Sequence, residues 1–431
     1  MLHKYLVFCL QKGIAQLQTE TLNFVPDILI KFETLLKHQV MKNFLMRNVR
    51  HAFLIGLIIG GFAFAGCAQN EYMDPANRKL QEIYTGGDFY PVKHYQQSTR
   101  KKRPKNVILM IGDGMGLAQV YAGLTANGGH LYLENFKHIG FSKTYSSDNY
   151  ITDSAAGGTA LACGEKTYNG AIGVDPQKQP IVNIRELAEK KGLETGLVST
   201  SAITHATPAS FIAHQPSRNM YEAIAADFIN SDIDVFIGGG VDHFEKRKDG
   251  RNLSEELRKD GYQVLYNMDN ISQVTSGKLA GLTAPVHNPA EPERGNMLVQ
   301  STNTALNILS QNKKGYFIMI EGSQIDWGGH ANKTPYVVEE MLDFDQAIGA
   351  ALKHAAQDGE TLIIVTADHE TGGMSINEGD MATGKVVGEY TTGHHTGIMV
   401  PVYAFGPGAE QFTGMMENTD IQKKIKDLLD L

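Results

Sequence analysis

The sequence predicts an α/β fold in which a mostly parallel central sheet is flanked by helices on both faces. Two observations support this prediction. From residue 104 onward, short runs rich in Val, Ile and Leu alternate with amphipathic stretches, which is the pattern of parallel strands joined by helices. Several runs are apolar on both faces, as expected for strands covered by helices on each side. We therefore expect a single domain at 104–431 with small surface insertions.

Each apolar run is predicted to form one strand of the sheet. The predicted strands are 106–114, 195–201, 234–240, 315–322, 361–369 and 398–406. The predicted helices are 181–191, 221–230, 301–311 and 336–357. A C-terminal helix is expected at 419–431, with Thr419 as its cap, because its apolar residues recur at helical spacing. The polar segment 245–300 is interrupted by Gly and Pro, and we interpret it as a surface insertion or small cap.

The composition excludes several classes of protein. The chain has 431 residues, of which 42% are hydrophobic and 20% charged, so it is neither disordered, collagen-like nor a polytopic membrane protein. Its formal net charge of −8 argues against general nucleic-acid binding, which requires a basic surface. The three cysteines include no Cys-x-x-Cys pair, so neither a disulfide framework nor a thiolate zinc site is expected.

The N-terminal region has the features of a targeting signal. A basic stretch at 42–51 precedes an apolar run at 52–65, which is too short to cross a bilayer, where about 20 residues are needed. Its length and flanks are typical of a signal peptide, whereas a buried core helix is the alternative interpretation. Small residues stand directly before Cys67, as at the cleavage site of a bacterial lipoprotein. We therefore predict a lipoprotein signal peptide at 41–66 and lipidation of Cys67.

The residues on either side of this signal follow from that interpretation. A signal peptide stands at the start of a protein, so residues 1–40 are predicted to be an over-called extension, with translation beginning at Met41 or Met46. Residues 67–103 are predicted to form a tether and a first surface segment. The mature protein would then be anchored by lipid to a bacterial membrane and face the periplasm. The outer membrane is favoured because the residue after Cys67 is Ala rather than Asp.

Polar residues with metal-binding side chains follow three of the predicted strands. Asp113 ends the first strand, Glu321 and Asp326 follow the strand at 315–322, and Asp368 and His369 end another. Ligands of open α/β sheets bind beyond the carboxyl ends of the strands, so these side chains are expected to meet. So many carboxylates in one place would repel one another unless cations lay between them.

The donor types indicate which cations to expect. Asp326 and His330 are one helical turn apart on the same face, although this spacing alone is also common on helix surfaces. A set of Asp and His ligands suits Zn²⁺, and carboxylate with hydroxyl oxygen suits Mg²⁺.

A serine stands where a helix is predicted to begin. Asp153 and Ser154 precede a run rich in Ala and Gly, so the serine hydroxyl would lie near free N–H groups that bind anions. The alternative is that either residue simply caps the helix. No G-x-S-x-G motif is present, and a metal could activate the serine instead. Arg218 could bind two phosphate oxygens, or it could be an ordinary surface arginine.

Six segments together resemble the alkaline phosphatase family and occur in the family's order between about residues 104 and 409. They are VILMIGDGMG, DSAAGGTALACGEKTYNGAIGVD, HATPASFIAH, EGSQIDWGGHAN, VTADHETGG and HHTG. The resemblance implies hydrolysis of small phosphate monoesters through a phosphoserine intermediate, at a site with two zinc ions and one magnesium ion. A homodimer is left open.

The resemblance also implies a role for each matching residue. Ser154 would be the nucleophile, and Arg218 would bind the phosphoryl oxygens. The implied ligands are Asp326, His330 and His395 for one zinc, Asp113, Asp368 and His369 for the second, and Asp113, Thr207 and Glu321 for magnesium. His395 is chosen over His394 because it directly precedes Thr-Gly.

Two positions differ from one well-known bacterial form of the pattern. His205 stands where that form has an aspartate near the magnesium, and Trp327 stands where it has a lysine. These differences leave the metal preference of the third site open.

Two other functions remain as alternatives. The first is a phosphodiesterase, phosphonate hydrolase or sulfatase of the same superfamily, although the C/S-x-P-x-R motif that sulfatases need is missing around Ser154. The second is a non-catalytic lipoprotein that binds metal or phosphate.

Overall fold

The computed structural model describes residues 83–97, 103–229 and 231–431. The predicted extension at 1–40, the signal peptide at 41–66 and the lipidation of Cys67 lie outside the described residues. Within the described ranges, no helix is both long enough and apolar enough to cross a membrane.

Fifteen strands are assigned in the described part of the chain. In chain order they are β1 (Ile83–Tyr84), β2 (Asn106–Gly112), β3 (His138–Lys143), β4 (Glu194–Ala202), β5 (Val235–Gly239), β6 (Gln263–Leu265), β7 (Leu279–Leu282), β8 (Tyr316–Gly322), β9 (Thr361–Thr366), β10 (Glu370–Thr371), β11 (Met374–Asp380), β12 (Lys385–Tyr390), β13 (His395–Thr396), β14 (Val400–Phe405) and β15 (Gly414–Glu417).

The α-helices lie between these strands and at the end of the chain. They are α1 (Leu117–Ala126), α2 (Ser154–Cys163), α3 (Ile184–Lys191), α4 (Ala206–Ser210), α5 (Tyr221–Asp227), α6 (Val241–Glu245), α7 (Leu253–Lys259), α8 (Met268–Ile271), α9 (Met297–Leu309), α10 (Gln324–Ala331), α11 (Thr334–Asp358) and α12 (Asn418–Leu429). The described ranges also contain two short 3₁₀ helices, Tyr132–Asn135 and Ala409–Phe412.

Ten strands form one central sheet in the order β15-β3-β14-β9-β2-β8-β4-β5-β7-β6. Every strand runs in the same direction except β14, which pairs antiparallel with both β3 and β9. Two small antiparallel sheets, β1-β12-β11 and β10-β13, lie apart from it. The mostly parallel sheet confirms the predicted fold class.

Alternate residues of the central strands point to two separate cores. In β2, Val107 and Leu109 pack with Ile425 of α12 and other buried residues on one face. Ile108 packs with Ile348 of α11 and others on the opposite face. Both faces are covered by helices, so nearly every residue of the strand is apolar, which explains why the sequence pattern is continuous rather than alternating.

The sequence suggested that the segment 245–300 is a surface insertion or small cap, but part of this segment belongs to the central sheet. It contains β7, which pairs in parallel with β5, and β6, which forms the edge of the central sheet beyond β7. These strands have only four and three residues, so no apolar periodicity could distinguish them from loop sequence.

The cap of the C-terminal helix also differs from the prediction. The helix α12 begins at Asn418, so Thr419 lies inside its first turn rather than at the cap. Glu417 is the N-cap and forms a capping box with Asp420, whose Oδ2 accepts a hydrogen bond of 3.1 Å from the Glu417 amide. A carboxylate at each end of this box accepts the free N–H groups, which a threonine two residues later could not do.

Part of the predicted tether lies against the catalytic domain. The strand β1 pairs with β12, and the Tyr90 hydroxyl donates a hydrogen bond of 2.6 Å to Asp345 Oδ2 on α11. Farther along, the Gln97 amide donates to the Gly406 carbonyl at 2.8 Å. The described residues 83–97 are therefore a surface segment of the domain.

Candidate active site

Four neighbouring strands of the central sheet, β9, β2, β8 and β4, have their carboxyl ends at the same edge. The functional side chains near these ends are Asp368 and His369 after β9, Asp113 after β2, Glu321 in β8, and His205 and Thr207 after β4. All of them are buried. The parallel sheet thus brings together residues that are up to 256 positions apart in the chain, from Asp113 to His369.

Three groups of side chains have ligand atoms that lie within 4.8 Å of one another. The groups are Asp326, His330 and His395; Asp113, Asp368 and His369; and Asp113, His205 and Glu321. The first two have the same members as the two predicted zinc sites. In the third, the predicted ligand Thr207 lies beside His205, and its hydroxyl donates to Asp113 Oδ2 at 3.2 Å.

The first group is assembled from a helix and a short strand. Asp326 and His330 are one turn apart on α10, with His330 Nε2 at 3.4 Å from Asp326 Oδ2. His395 belongs to β13 and lies opposite Thr371 of β10, and its Nε2 is 3.5 Å from Asp326 Oδ1. His394 is exposed, whereas the side chain of His395 faces the group. The structure therefore favours His395 over its neighbour.

The two histidines of this group face each other through atoms that cannot both be donors. His330 Nδ1 donates to the Gly393 carbonyl at 2.9 Å, and His395 Nδ1 donates to the Thr152 carbonyl at 2.8 Å. In the neutral rings, both Nε2 atoms consequently carry lone pairs, and these two atoms are only 3.1 Å apart. Two lone pairs at this distance repel unless a proton or a metal ion lies between them. Backbone carbonyls that accept from the other ring nitrogen are a common way to orient histidine ligands of a metal.

The second group has the same character. The Thr371 hydroxyl donates its only proton to Asp326, so His369 Nδ1, at 3.2 Å, is the donor to Thr371 Oγ1. The lone pair of His369 Nε2 then points toward two carboxylates, with Asp368 Oδ2 at 3.2 Å and Asp113 Oδ1 at 3.4 Å. Acceptors that face one another in this way fit a shared cation.

Three buried carboxylate oxygens of the site have no hydrogen-bond donor among the described residues: Asp113 Oδ1, Glu321 Oε1 and Asp368 Oδ2. Burial and the neighbouring Asp368 raise the pKa of Asp113 well above its ordinary value. Burial likewise raises the pKa of Glu321 to about 7, and burial together with Asp326 raises that of Asp368 to about 6. Ionised carboxylates are therefore costly here without a cation, and the residues fit divalent metal ions.

Ser154 is the first residue of α2, and Asp153 is its N-cap. Asp153 Oδ1 accepts a hydrogen bond of 3.0 Å from the Ala156 amide, so the aspartate rather than the serine caps the helix. The Ser154 hydroxyl is left to face the second group, with Oγ at 3.1 Å from His369 Nε2. The small residues of α2 allow this helix to approach the end of β9 closely, since a Cβ on Gly157 would lie 3.1 Å from Asp368 Cβ.

Arg218 lies beside the start of this helix. Its Nη1 donates to Asp153 Oδ2 at 2.9 Å, and its Nη2 is 3.4 Å from His205 Nε2. Its side chain is only 18% exposed. The guanidinium is thus fixed next to the serine rather than free on the surface.

Gly114 allows the end of β2 to approach α10. Its φ of +73° is a left-handed conformation, and a Cβ there would lie 2.7 Å from Asp326 Cα. Any other residue would push apart the elements that hold Asp113 and Asp326.

Sequence reasoning missed the residues that orient these ligands. Ser199 donates to Glu321 Oε2 at 2.6 Å and also contacts Ser323 Oγ at 2.9 Å. Hydroxyl residues inside the otherwise apolar strand β4 were a signal for this. His287 packs against Trp327 with ring centroids 4.9 Å apart, and no feature of its sequence context indicated this contact.

Comparisons with known proteins agree with this geometry. A model of the alkaline phosphatase family matches residues 104–391. Alkaline phosphatase 3 of Bacillus subtilis is 36% identical over 415 residues, which cover 74% of this chain and 88% of the relative.

Solved structures also match. Alkaline phosphatase from the Antarctic bacterium TAB5 superposes with a TM-score of 0.73 at 43% identity, covering 76% of this chain and 99% of that one. A variant of that enzyme with Mg bound matches with a TM-score of 0.72 at 43% identity, covering 77% and 99%. The chain therefore belongs to the alkaline phosphatase family and is a phosphatase.

Proposed function

We propose that this phosphatase hydrolyses phosphate monoesters to an alcohol and inorganic phosphate through a phosphoserine at Ser154, with two zinc ions and one magnesium ion. The observation that supports this most directly is the contact between nucleophile and metal group. Ser154 Oγ lies 3.1 Å from His369 Nε2, whose lone pair also faces Asp113 and Asp368. A hydroxyl in this position adjoins any cation that the group holds.

The donor atoms suggest which cation each group would hold. Asp326, His330 and His395 would hold one zinc and Asp113, Asp368 and His369 the other, because mixed carboxylate and imidazole donors suit zinc. Asp113, Thr207 and Glu321 offer oxygen atoms, which suit magnesium. His205 has a ligand atom within 4.8 Å of those of Asp113 and Glu321, so the metal preference of this third site depends on whether the imidazole also binds. When bound, the cations lower the pKa of the serine hydroxyl and offset charge on the attacking and leaving oxygens.

The protein's own groups would bind and orient the phosphoryl group. The N-terminus of α2 favours an anion, since its first N–H groups point outward. Arg218 can donate to two phosphoryl oxygens, and Asp153 holds the guanidinium at 2.9 Å so that little side-chain freedom is lost on binding.

The proposed reaction consists of two successive displacements at phosphorus. In the first, a bond forms between Ser154 Oγ and phosphorus, the bond from phosphorus to the ester oxygen breaks, and the alcohol leaves with a proton. In the second, a water oxygen bonds to phosphorus, the bond to Ser154 Oγ breaks, and the hydroxyl regains its proton as phosphate leaves. One water is consumed in each cycle, and no other reactant is required.

We also propose that the enzyme acts in the periplasm while anchored by lipid at Cys67. The support is the apolar stretch at 52–65 followed by small residues and cysteine. Cells fed a labelled fatty acid should label the wild-type protein but not Cys67→Ser. Equal labelling of both would refute the anchor.

The function is tested by comparing p-nitrophenyl phosphate with its bis-ester and sulfate analogues. We expect the monoester to be hydrolysed with the highest kcat/KM, and Ser154→Ala to lower kcat by about a thousand-fold or more, as on removal of a catalytic nucleophile. Ser375→Ala, an exposed serine on β11, is the matched control and should keep full activity.

The alternatives predict different results in the same assays. Higher kcat/KM on the diester or the sulfate would assign the chain to one of the related hydrolase classes. Binding of phosphate without turnover of any ester would indicate a non-catalytic protein.

A further inference from the structure

Glu370 is a buried carboxylate that belongs to none of the three ligand groups. It follows the ligand His369 directly and is only 5% exposed. In the two-stranded sheet, Glu370 of β10 lies opposite Thr396 of β13, the residue that follows His395. Glu370 is therefore adjacent in sequence to the ligand His369 and lies opposite the strand that contains the ligand His395.

The carboxylate accepts hydrogen bonds from four donors. Oε1 accepts from Gln119 Nε2 at 2.8 Å and from the Met374 amide at 3.1 Å. Oε2 accepts from the Gly373 amide at 3.2 Å and from the Thr396 hydroxyl. These donors come from α1, from the turn after β10, from the first residue of β11 and from β13. Two oxygens that accept two bonds each match an ionised carboxylate and no neutral side chain.

The start of α1 is shaped to admit this carboxylate. A Cβ on Gly116 would lie 2.4 Å from Glu370 Cγ and 2.8 Å from Gln119 Oε1. The Gln119 amide also donates to the Thr371 carbonyl at 2.9 Å, so the same side chain fixes two consecutive residues of β10. A residue larger than glycine at position 116 would separate Glu370 from its donor.

The hydrogen bonds lead to the first ligand group from two sides. Thr396 is held by Glu370 and is adjacent to His395, whose Nε2 is 3.1 Å from His330 Nε2. Thr371, the other residue of β10, donates to the ligand Asp326. Glu370 thus connects β13, which contains His395, to α1. We infer that the orientation of His395 depends on this connection.

We propose that Glu370 is a positioning residue that holds His395 in its ligating orientation and so sets the zinc affinity of the group formed by Asp326, His330 and His395. This inference rests on the proposed function in taking zinc as the ion of that group. Replacement by glutamine keeps the shape but turns one acceptor oxygen into an NH₂ group that faces two donors. Loss of partners that orient a metal ligand costs about 10- to 100-fold in metal affinity.

The experiment titrates metal-free protein with Zn²⁺ in the presence of a chromophoric chelator, and follows Co²⁺ binding by visible absorption. The variants are Glu370→Gln and Glu378→Gln, the latter an exposed glutamate on β11 that pairs with Lys385. For Glu370→Gln we expect one site to weaken by about 10- to 100-fold while the other keeps its affinity. Its Co²⁺ spectrum should change, and Glu378→Gln should match the wild type in both measurements.

Two results would overturn the inference. One is wild-type Zn²⁺ affinity and an unchanged Co²⁺ spectrum in Glu370→Gln. The other is an equal weakening of both sites together with a lower Tm of the metal-free protein, because that pattern means general support of the fold. Wild-type protein that binds two zinc ions but hydrolyses no monoester would refute the proposed function and leave the role of Glu370 open to the same titration.

Discussion

Two clusters of buried acids in this molecule are neutralised in different ways. At the active site, Asp113, Glu321 and Asp368 each have a carboxylate oxygen to which none of the described residues donates a hydrogen bond. On α11, by contrast, Glu340 and Asp343 bind the same guanidinium, with Arg294 Nη2 at 2.6 Å from Glu340 Oε2 and 2.7 Å from Asp343 Oδ2. All of these side chains are nearly or completely buried, so burial alone does not distinguish the clusters.

The difference is that Arg294 supplies a cation to one cluster, whereas the described residues supply no donor to three oxygens of the other. In the Arg294 cluster, Nη1 also donates to Glu340 Oε1 at 3.1 Å, which completes a bidentate pair. The Glu291 amide adds a further bond of 2.9 Å to the same oxygen. A buried acid that the protein satisfies by itself is structural, whereas acids left without partners at the ends of strands indicate a binding site.

Removal of divalent cations should produce the largest effect and separates the two clusters directly. After exhaustive treatment with EDTA we expect hydrolysis of p-nitrophenyl phosphate to fall by about a thousand-fold or more, because metal stabilisation of a phosphoryl-transfer reaction amounts to several kcal/mol. The Tm should fall as well, since the bound ions stabilise the folded state and the remaining carboxylates repel one another.

Addition of Zn²⁺ with Mg²⁺ should restore both activity and Tm. Zn²⁺ alone and Mg²⁺ alone serve as the comparison, because the three groups differ in donor type. Full activity in protein from which atomic absorption detects no metal would contradict the metal centre, and the unpartnered oxygens would then need another explanation.

Arg294→Ala tests the self-neutralised cluster. The variant leaves Glu340 and Asp343 buried without their cation, and breaking a buried pair in this way costs about 3–5 kcal/mol in the free energy of unfolding. Urea denaturation followed by circular dichroism measures the change. Once the guanidinium is removed, burial and the repulsion between the two acids both destabilise their ionised forms.

The matched control is Arg251→Ala, which removes an exposed arginine that pairs with Glu256 at 2.6 Å. We expect no resolvable change in the unfolding free energy, because solvent screens exposed pairs. If both variants lost the same stability, burial of the Arg294 cluster would have no energetic consequence, and the comparison between the clusters would fail.

The fold was largely predictable because its central strands are buried on both faces. The run 107–111 is apolar throughout, so its strand could be predicted from composition alone. The strands β6 and β7 could not, because each has four residues or fewer and is separated from its partner strand by at least one helix. Their assignment depends on tertiary hydrogen bonding, which the local pattern does not contain.

Individual residues of the site could be recognised in the sequence, but their contacts could not. The position of Asp113 and Asp368 after strands and the turn from Asp326 to His330 indicated a metal site, whereas the grouping of ligands came only with the family resemblance. The contact between Glu370 and Gln119 could not be predicted, since the two residues are 251 positions apart. Hydrogen bonds across such separations leave no periodic signal in a single sequence.

Glu194 offers the smallest test, because it is an acid of intermediate burial. It begins β4, and burial together with the nearby Asp234 raises its pKa to about 7. The unfolded value is near 4.3, so the folded state binds the proton more tightly, and stability is lost as the pH rises from about 4.3 through 7. Glutamine carries no charge at any pH, so Glu194→Gln should be more stable than the wild type above pH 7.

We expect the Tm of Glu194→Gln to exceed that of the wild type by about 1–3 °C at pH 8.5, a small shift because the side chain remains partly exposed and screened. At pH 4.5 the difference should shrink, since the glutamic acid is then largely protonated when folded. Glu389→Gln, an exposed residue on β12, should show no such dependence on pH. A Tm difference that is the same at both pH values would mean that the carboxylate charge is not the cause, and partial burial without a cation would then carry no cost at this position.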